Sequence, residues 1–405
     1  MTVMGFARNA EPGSKPAHQP VASWLQRVVY GTKISSLQQW YFQKAGFEAC
    51  MSYFWPPTMR PDLIKQYDCR KALPIRAFMW RADILTLGRE NSIFFPSDYD
   101  QTSPQTLPTL FTIHGGGFCI GVPDDDDAWN RTFADVNGAL VIALHYWKAP
   151  WAPWPHALHD LEALFLAAVG DESLPIDKSR VALGGFSAGG NLALCLSQMP
   201  SVRGHASAAP GAVVPVYPPT DFATPTASKR DRRPYKVGKL PGIRGSRRDF
   251  VLEFADVFDW SYIPYGTDLR DPLVSPLYAG RGDLPANVCV VAAELDYLAY
   301  EAWELACKLG GRPRGPPVGG FVGRAEPAAA GRAQDLELAD ERFSWEAADA
   351  RGSVKWLLVP DVIHAFDMHE MGAAQLDAAS AREGNAKAVK VIAVVGEWLR
   401  RTAWK

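Results

Sequence analysis

Residues 180 to 199 read RVALGGFSAGGNLALCLSQM. An apolar run, Val181 to Leu183, meets Gly185-Phe186-Ser187-Ala188-Gly189, and a segment with helical patterning follows at once. The succession predicts a strand, a sharp turn and a helix. Small residues on either side of the serine let the chain turn sharply and raise Ser187 into a cleft at a helix N-terminus. There the helix dipole and free backbone N–H groups favour negative charge. The alternative is a glycine-rich turn with an incidental serine; the strand before and the helix after favour a nucleophile.

Working outward, further short apolar runs read as strands: Ile75 to Trp80, Ser92 to Phe95, Thr109 to Ile113 and Ala139 to Leu144 precede the motif. Gly211 to Tyr217, Asn287 to Ala293 and Val354 to Val359 follow it. The later runs are nearly continuous in Val, Leu, Ile and Ala, as strands buried on both faces are. Helical stretches lie between them at 156–169, 189–198, 299–309 and 386–399. Such alternation predicts an α/β fold with a mostly parallel central sheet flanked by helices.

Composition narrows the function classes. The 405 residues are 47% hydrophobic and 21% charged, which excludes global disorder, and a net charge of -2 gives no pull on nucleic acid. Six cysteines, at 50, 69, 119, 195, 289 and 307, are scattered and form no Cys-x-x-Cys, so neither a disulfide framework nor a zinc site is expected. Cys195, Cys289 and Cys307 sit among apolar residues and read as core fillers. No His-Glu-x-x-His or calcium-loop pattern appears, so no metal and no cofactor is expected. The first twenty residues carry no apolar run of signal length, and no apolar stretch is long enough to span a bilayer. The expectation is a soluble cytoplasmic protein without a transmembrane segment.

A serine nucleophile needs a base, and the base an orienting acid. In strand–turn–helix serine enzymes the chain order is serine, acid, histidine. Well downstream of Ser187 only His364 and His369 remain; His364 lies just after the strand WLLV, where parallel-sheet active sites gather. The strand NVCVVAA is followed by Glu294, Leu295 and Asp296. Asp296 occupies the loop position an orienting acid requires. Glu294 is its near competitor, Asp268 and Asp271 are less well placed, and a helix cap is the bland reading of Asp296. Upstream, His114-Gly115-Gly116-Gly117-Phe118 follows the strand ending at Ile113. Three glycines permit a path that aims N–H groups inward, where they stabilise an anion formed from an attacked carbonyl. A phosphate loop would want Lys and Ser or Thr next, and CIG follows instead. His114 reads as structural support of this loop.

With these residues in place, the chain resembles the hormone-sensitive-lipase-like branch of the α/β-hydrolase family. The matching stretches are HGGGF at 114, HYWKAPWAPWPHALHD at 145, GGFSAGGNLA at 184, PVYPPTD at 215, DPLVSPL at 271, AELDYLAYE at 293 and VIHAF at 362, in the family's order. The resemblance implies carboxylic ester hydrolysis with Ser187, Asp296 and His364 as the triad. It implies an oxyanion hole built from the N–H groups of Gly116, Gly117 and Ala188, and a helical cap. Departures are visible. The usual Arg-Leu-Ala-Pro-Glu run is Trp147, Lys148, Ala149, Pro150 and Trp151. Ala293 stands for the usual Gly, and Tyr297, Ala299 and Tyr300 replace the usual Pro, Arg and Asp.

The expected organisation is a tail at 1–20, N-terminal cap helices at 21–65, the first part of the core at 66–220, a cap insertion at 221–264, and the rest of the core at 265–405. A second insertion, 311–352, begins rich in Gly and Pro and ends in an acidic stretch, AQDLELADERFSWEAADA, read as helical. The cap insertion contains KRDRRPYKVGKLPGIRGSRR at 229–248, with nine basic residues and one acidic. Its bland reading is a solvated loop; its functional reading is docking of an anionic carrier, a thioester or a lipid surface. Asp124 to Asp127 read as a solvated loop or helix start, or as a negative rim. Trp147, Trp151 and Trp154 are expected to pack a Pro-rich turn. The leading function is hydrolysis of a small-molecule ester or lactone. An acyltransferase, or a lyase or cyclase on the same triad, is the alternative, and a non-enzymatic binding protein the third class. Oligomeric state is not legible.

Overall fold

The structure, a computed structural model, describes residues 26, 29–38, 91–231, 250–315, 334–368 and 378–405. The expected strand at 75–80, most of the 21–65 and 229–248 segments, and His369 lie outside them.

Eight strands form one sheet: β1 (Ser92–Phe94), β2 (Leu107–Ile113), β3 (Leu140–Leu144), β4 (Ile176–Phe186), β5 (Ala212–Val216), β6 (Asn287–Ala293), β7 (Ser344–Asp349) and β8 (Gly352–Val359). Their order is β1-β3-β2-β4-β5-β6-β8-β7. The six inner strands run parallel, and β1 and β7 are antiparallel edges. The helices are α1 (29–38), α2 (Asp127–Asn137), α3 (His156–Gly170), α4 (Ala188–Leu196), α5 (Pro200–Arg203), α6 (Thr226–Asp231), α7 (Phe250–Tyr262), α8 (Ala299–Leu309) and α9 (Ala378–Arg401).

The inner strands are continuous in apolar residues because both faces are covered. On one face α2 presents Trp129 and Phe133, and α9 presents Val391, Ile392, Val395 and Trp398 at helical spacing. On the other, α3, α4 and α8 bury Leu161, Leu192 and Trp303. Ile34 and Leu37 of α1, and Val257, Phe258 and Tyr262 of α7, join that second core. Fully burying a side chain of this size contributes about 1.5–3 kcal/mol, so each helix is held by its apolar stripe.

Three expectations need correction. The acidic stretch read as helical instead ends in β7, which pairs with β8 through Trp345 opposite Trp356. Glu and Ala there favour a helix, but the edge of a buried strand offers backbone partners that outweigh propensity. The basic segment's first residue, Lys229, is buried rather than solvated. It pairs with Glu301 of α8 at 2.6 Å. The Pro-rich turn also differs in part: Trp154 donates to the Leu273 carbonyl at 3.1 Å, whereas Trp151 is 80% exposed. The four cysteines of the described residues, at 119, 195, 289 and 307, are buried, and no disulfide joins them.

Candidate active site

The register sets Ile113 beside Gly185, Phe186 beside Val216, and Ala293 beside Val359. The carboxyl ends of β2, β4, β5, β6 and β8 therefore share one edge of the sheet. His114, Ser187, Tyr217, Asp296 and His364 all emerge there.

Ser187 sits between β4 and α4 with φ 53 and ψ -119, in the positive-φ region that a side chain rarely adopts. Its N–H donates to the Val216 carbonyl at 2.9 Å, which anchors the turn to β5. The turn is possible because α4 starts against the end of β2. A Cβ on Gly189 would lie 2.0 Å from the Ile113 carbonyl oxygen and 2.5 Å from that of His114. Only glycine permits this approach.

Ser187, His364 and Asp296 are brought together. The His364 Nε2 lies 2.8 Å from the Ser187 Oγ, and its Nδ1 lies 2.6 Å from the Asp296 Oδ2. The carboxylate partner is sheltered, with Asp296 2% exposed, whereas Ser187 is half-buried. An ordered hydroxyl–imidazole–carboxylate series of this kind lets the ring accept the hydroxyl proton while the carboxylate fixes the tautomer. Tyr217 packs its ring 4.6 Å from the imidazole. Its hydroxyl donates to Asp367 at 2.6 Å, and burial pushes the Asp367 carboxyl up to about 6.

Glu294, the competing acid, does other work. It is fully buried, and its Oε2 accepts the Asp361 N–H at 2.5 Å. The backbone of the same loop is tied by Glu294 N–H to Val359 O at 3.0 Å and Leu295 N–H to Val362 O at 2.9 Å. Lys387 of α9 adds a donor to the Pro360 carbonyl at 2.7 Å. Glu294 thus holds the loop that carries His364.

The glycine loop is a tight turn. The amides of Cys119 and Ile120 both donate to the Gly116 carbonyl at 3.0 Å. Gly116 and Gly117 have φ of 111 and 57. Among the described residues, neither of their N–H groups has a hydrogen-bond acceptor. Ala188 is the first residue of α4, where the N–H groups face outward from the helix. His114 is buried, with Nδ1 2.8 Å from the Gly115 carbonyl oxygen and its ring stacked on Tyr146 at 4.4 Å. Burial, and then the neighbouring Lys148 ammonium, hold the imidazole well below its usual pKa, so it is neutral.

Helices from distant parts of the chain grip this loop. Gln38 of α1 donates to the Cys119 and Ala149 carbonyls at 3.1 and 3.2 Å. Tyr262 of α7 stacks on Phe118 with centroids 3.7 Å apart, and a Cβ on Gly117 would meet the Phe258 ring at 2.5 Å. None of these contacts has a local sequence signal. The Asp124–Asp127 run forms a 3-10 turn and the start of α2, with Asp126 buried rather than on a rim. No group of three or more metal-ligating side chains occurs among the described residues, and none of their helices is long and apolar enough to cross a membrane.

Comparison with known proteins agrees with this architecture. The sequence profile of the alpha/beta hydrolase fold matches residues 110–317. The chain is 29% identical over 214 residues to an acetyl-hydrolase of Streptomyces hygroscopicus, covering 52% of this chain and 64% of that protein. It is 34% identical over 214 residues to the carboxylic ester hydrolase LipN of Mycobacterium tuberculosis, covering 50% of this chain and 52% of that one. The matched region thus spans half to under two-thirds of these relatives. In fold, the chain is similar to a hyperthermophilic esterase from the archaeon Pyrobaculum calidifontis, with a TM-score of 0.59, 18% identity, and 94% and 98% of the two chains covered.

Proposed function

The chain belongs to the alpha/beta hydrolase fold family, and from that premise we propose that it hydrolyses a carboxylic ester or lactone through an acyl-enzyme on Ser187. The observation that carries the reading is the unbroken contact series from Asp296 through His364 to the Ser187 hydroxyl, at 2.6 and 2.8 Å. The names of the relatives, acetyl-hydrolase and carboxylic ester hydrolase, support the same substrate class.

In this mechanism His364 Nε2 takes the Ser187 proton as Oγ attacks the carbonyl carbon. Asp296 stabilises the imidazolium without itself taking the proton. The oxyanion accepts hydrogen bonds from the N–H groups of Gly116, Gly117 and Ala188; each such donor is worth roughly 10²–10³ in kcat. His364 then protonates the leaving alkoxide. Water enters and attacks the acyl carbon as His364 takes its proton; the acyl–Oγ bond then breaks, His364 returns the proton to Ser187, and the acid is released. Helices α1, α6 and α7 form the cap of this reading, and their contacts with Phe118, Phe222, Phe258 and Tyr262 belong to the buried core beside the glycine loop.

The test is a panel of short-chain, aromatic and lactone esters, followed by pH-stat with the purified protein. Acid release from at least one class, abolished in Ser187→Ala, is expected. Adding methanol at a fixed concentration separates hydrolysis from acyl transfer. A methyl ester as the dominant product would replace hydrolase with acyltransferase, and no turnover on any ester would overturn the reading.

A further inference from the structure

We infer that Lys148 is a positioning residue of the oxyanion loop: its buried ammonium fixes the tautomer of His114 and, through it, the direction of the Gly116 N–H. This rests on the reading of Gly116 as an oxyanion donor and adds a residue to it. Lys148 stands in the WKAPW run where the related pattern has leucine, a side chain with nothing to donate.

Lys148 is 2% exposed. Its Nζ lies 3.0 Å from the His114 Nε2, donates to the Tyr146 carbonyl, and sits 3.7 Å from the Tyr146 ring centroid. An ammonium carries only donors, so the imidazole nitrogen facing it must accept. The ring proton is then on Nδ1. That nitrogen faces the Gly115 carbonyl oxygen at 2.8 Å, which only accepts. Both ends of the ring therefore select one tautomer.

The consequence reaches the cleft through the peptide group. The Gly115 carbonyl and the Gly116 N–H belong to one planar trans peptide and point to opposite sides of it. The His114 N–H, with the Tyr146 hydroxyl at 3.4 Å, fixes the oxygen. The Gly116 N–H is thereby turned away from the His114 ring. The next carbonyl, that of Gly116, is held by the Cys119 and Ile120 amides, so the turn is pinned on both sides. Without the ammonium, the buried Nε2 lone pair and the Tyr146 carbonyl lose their donor, the ring shifts to recover one, and its hold on the Gly115 oxygen and so on the Gly116 N–H loosens.

Lys148→Met keeps the length and the apolar stem and removes the donors. Its kcat on p-nitrophenyl acetate, per folded protein, is expected to fall roughly 10- to 100-fold, within the effect of losing one oxyanion donor. KM should stay within about twofold, because the contact tightens only as the oxyanion forms. Affinity for a trifluoromethyl ketone should fall by the same factor as kcat. The His114→Ala, Lys148→Met double variant should be no slower than His114→Ala alone, since the lysine acts through the histidine. An unchanged kcat, a raised KM alone, or additive losses in the double variant would overturn the inference. If Lys148→Met fails to fold, the same readouts are taken on Lys148→Gln, with a smaller kcat loss expected and the same refuting outcomes. An inactive Ser187→Ala beside an unimpaired Lys148→Met contradicts the lysine alone; a Ser187→Ala that turns over normally removes both.

Discussion

Replacing Gly189 by alanine tests how the sheet positions the serine. The new Cβ would lie 2.0 Å from the Ile113 carbonyl oxygen, 2.5 Å from that of His114 and 2.6 Å from the Ile113 carbonyl carbon. All three are backbone atoms of β2 and its exit, so no flexible side chain can yield. Restoring ordinary contact, which begins at 3.4 Å, requires the start of α4 to withdraw from β2 by on the order of 1 Å. Ser187 caps that helix and would move with it, away from an imidazole now at 2.8 Å and from the glycine loop. A displacement of about 1 Å at a reacting atom costs about 10²-fold in rate, equivalent to about 2.7 kcal/mol. Overpacking should also lower stability by about 1–3 kcal/mol. The assay is kcat/KM on p-nitrophenyl acetate at 25 °C, corrected for the folded fraction from circular dichroism, with urea unfolding alongside. Gly190→Ala is the graded control. Its Cβ would meet its nearest neighbours at 3.0, 3.1 and 3.3 Å, which small shifts relieve, so less than a tenfold loss is expected. Equal rates for Gly189→Ala and the parent, with unchanged unfolding, would refute the reasoning.

Four other outcomes follow from the same geometry. Asp296→Asn should lower kcat about 10³- to 10⁴-fold by letting the imidazole take the wrong tautomer. Glu294→Gln, which alters the support of the His364 loop, should cost far less in a folded protein; the reverse ranking would move the acid to Glu294. The pH profile of kcat/KM should fall on the acidic side as His364 protonates, and a rate flat down to pH 4 would argue against a histidine base. Asp367 has its carboxyl raised from 3.8 to about 6 by burial, so the folded state binds the proton more tightly than the unfolded chain. Its contribution is most favourable below pH 3.8 and is lost as pH rises through about 6, a difference of about 3 kcal/mol. Asp367→Asn should therefore gain stability relative to the parent between pH 4 and 8 in urea unfolding, and a parallel pair of curves would contradict the assignment.

The sheet was legible because seven of its eight strands are short apolar runs between turn signals, and burial on both faces leaves that mark on the six inner ones. The edge strand β7 was not. Its residues SWEAAD carry one large apolar side chain, and its structure comes from pairing along β8. In the site, Ser187, Asp296 and His364 each stand just past the end of a strand, where a local pattern identifies them. Gln38, Phe258 and Tyr262 act on the glycine loop from remote segments and leave no local pattern. Lys148 was visible as a departure from a related run, but its bond to His114, 34 positions away, exists only in the folded chain. Glu294 shows the converse: chemistry and position alike qualified it as the acid, and only the direction of its side chain toward the Asp361 amide separates it from Asp296.

The most direct test of the central claim is intact-protein and peptide mass spectrometry after reaction with a fluorophosphonate. One adduct per chain is expected, on the peptide that contains Ser187, with turnover lost in proportion to labelling. Ser187→Ala should be neither labelled nor active. Stoichiometric labelling at another residue, or ester turnover that persists in Ser187→Ala, would contradict it.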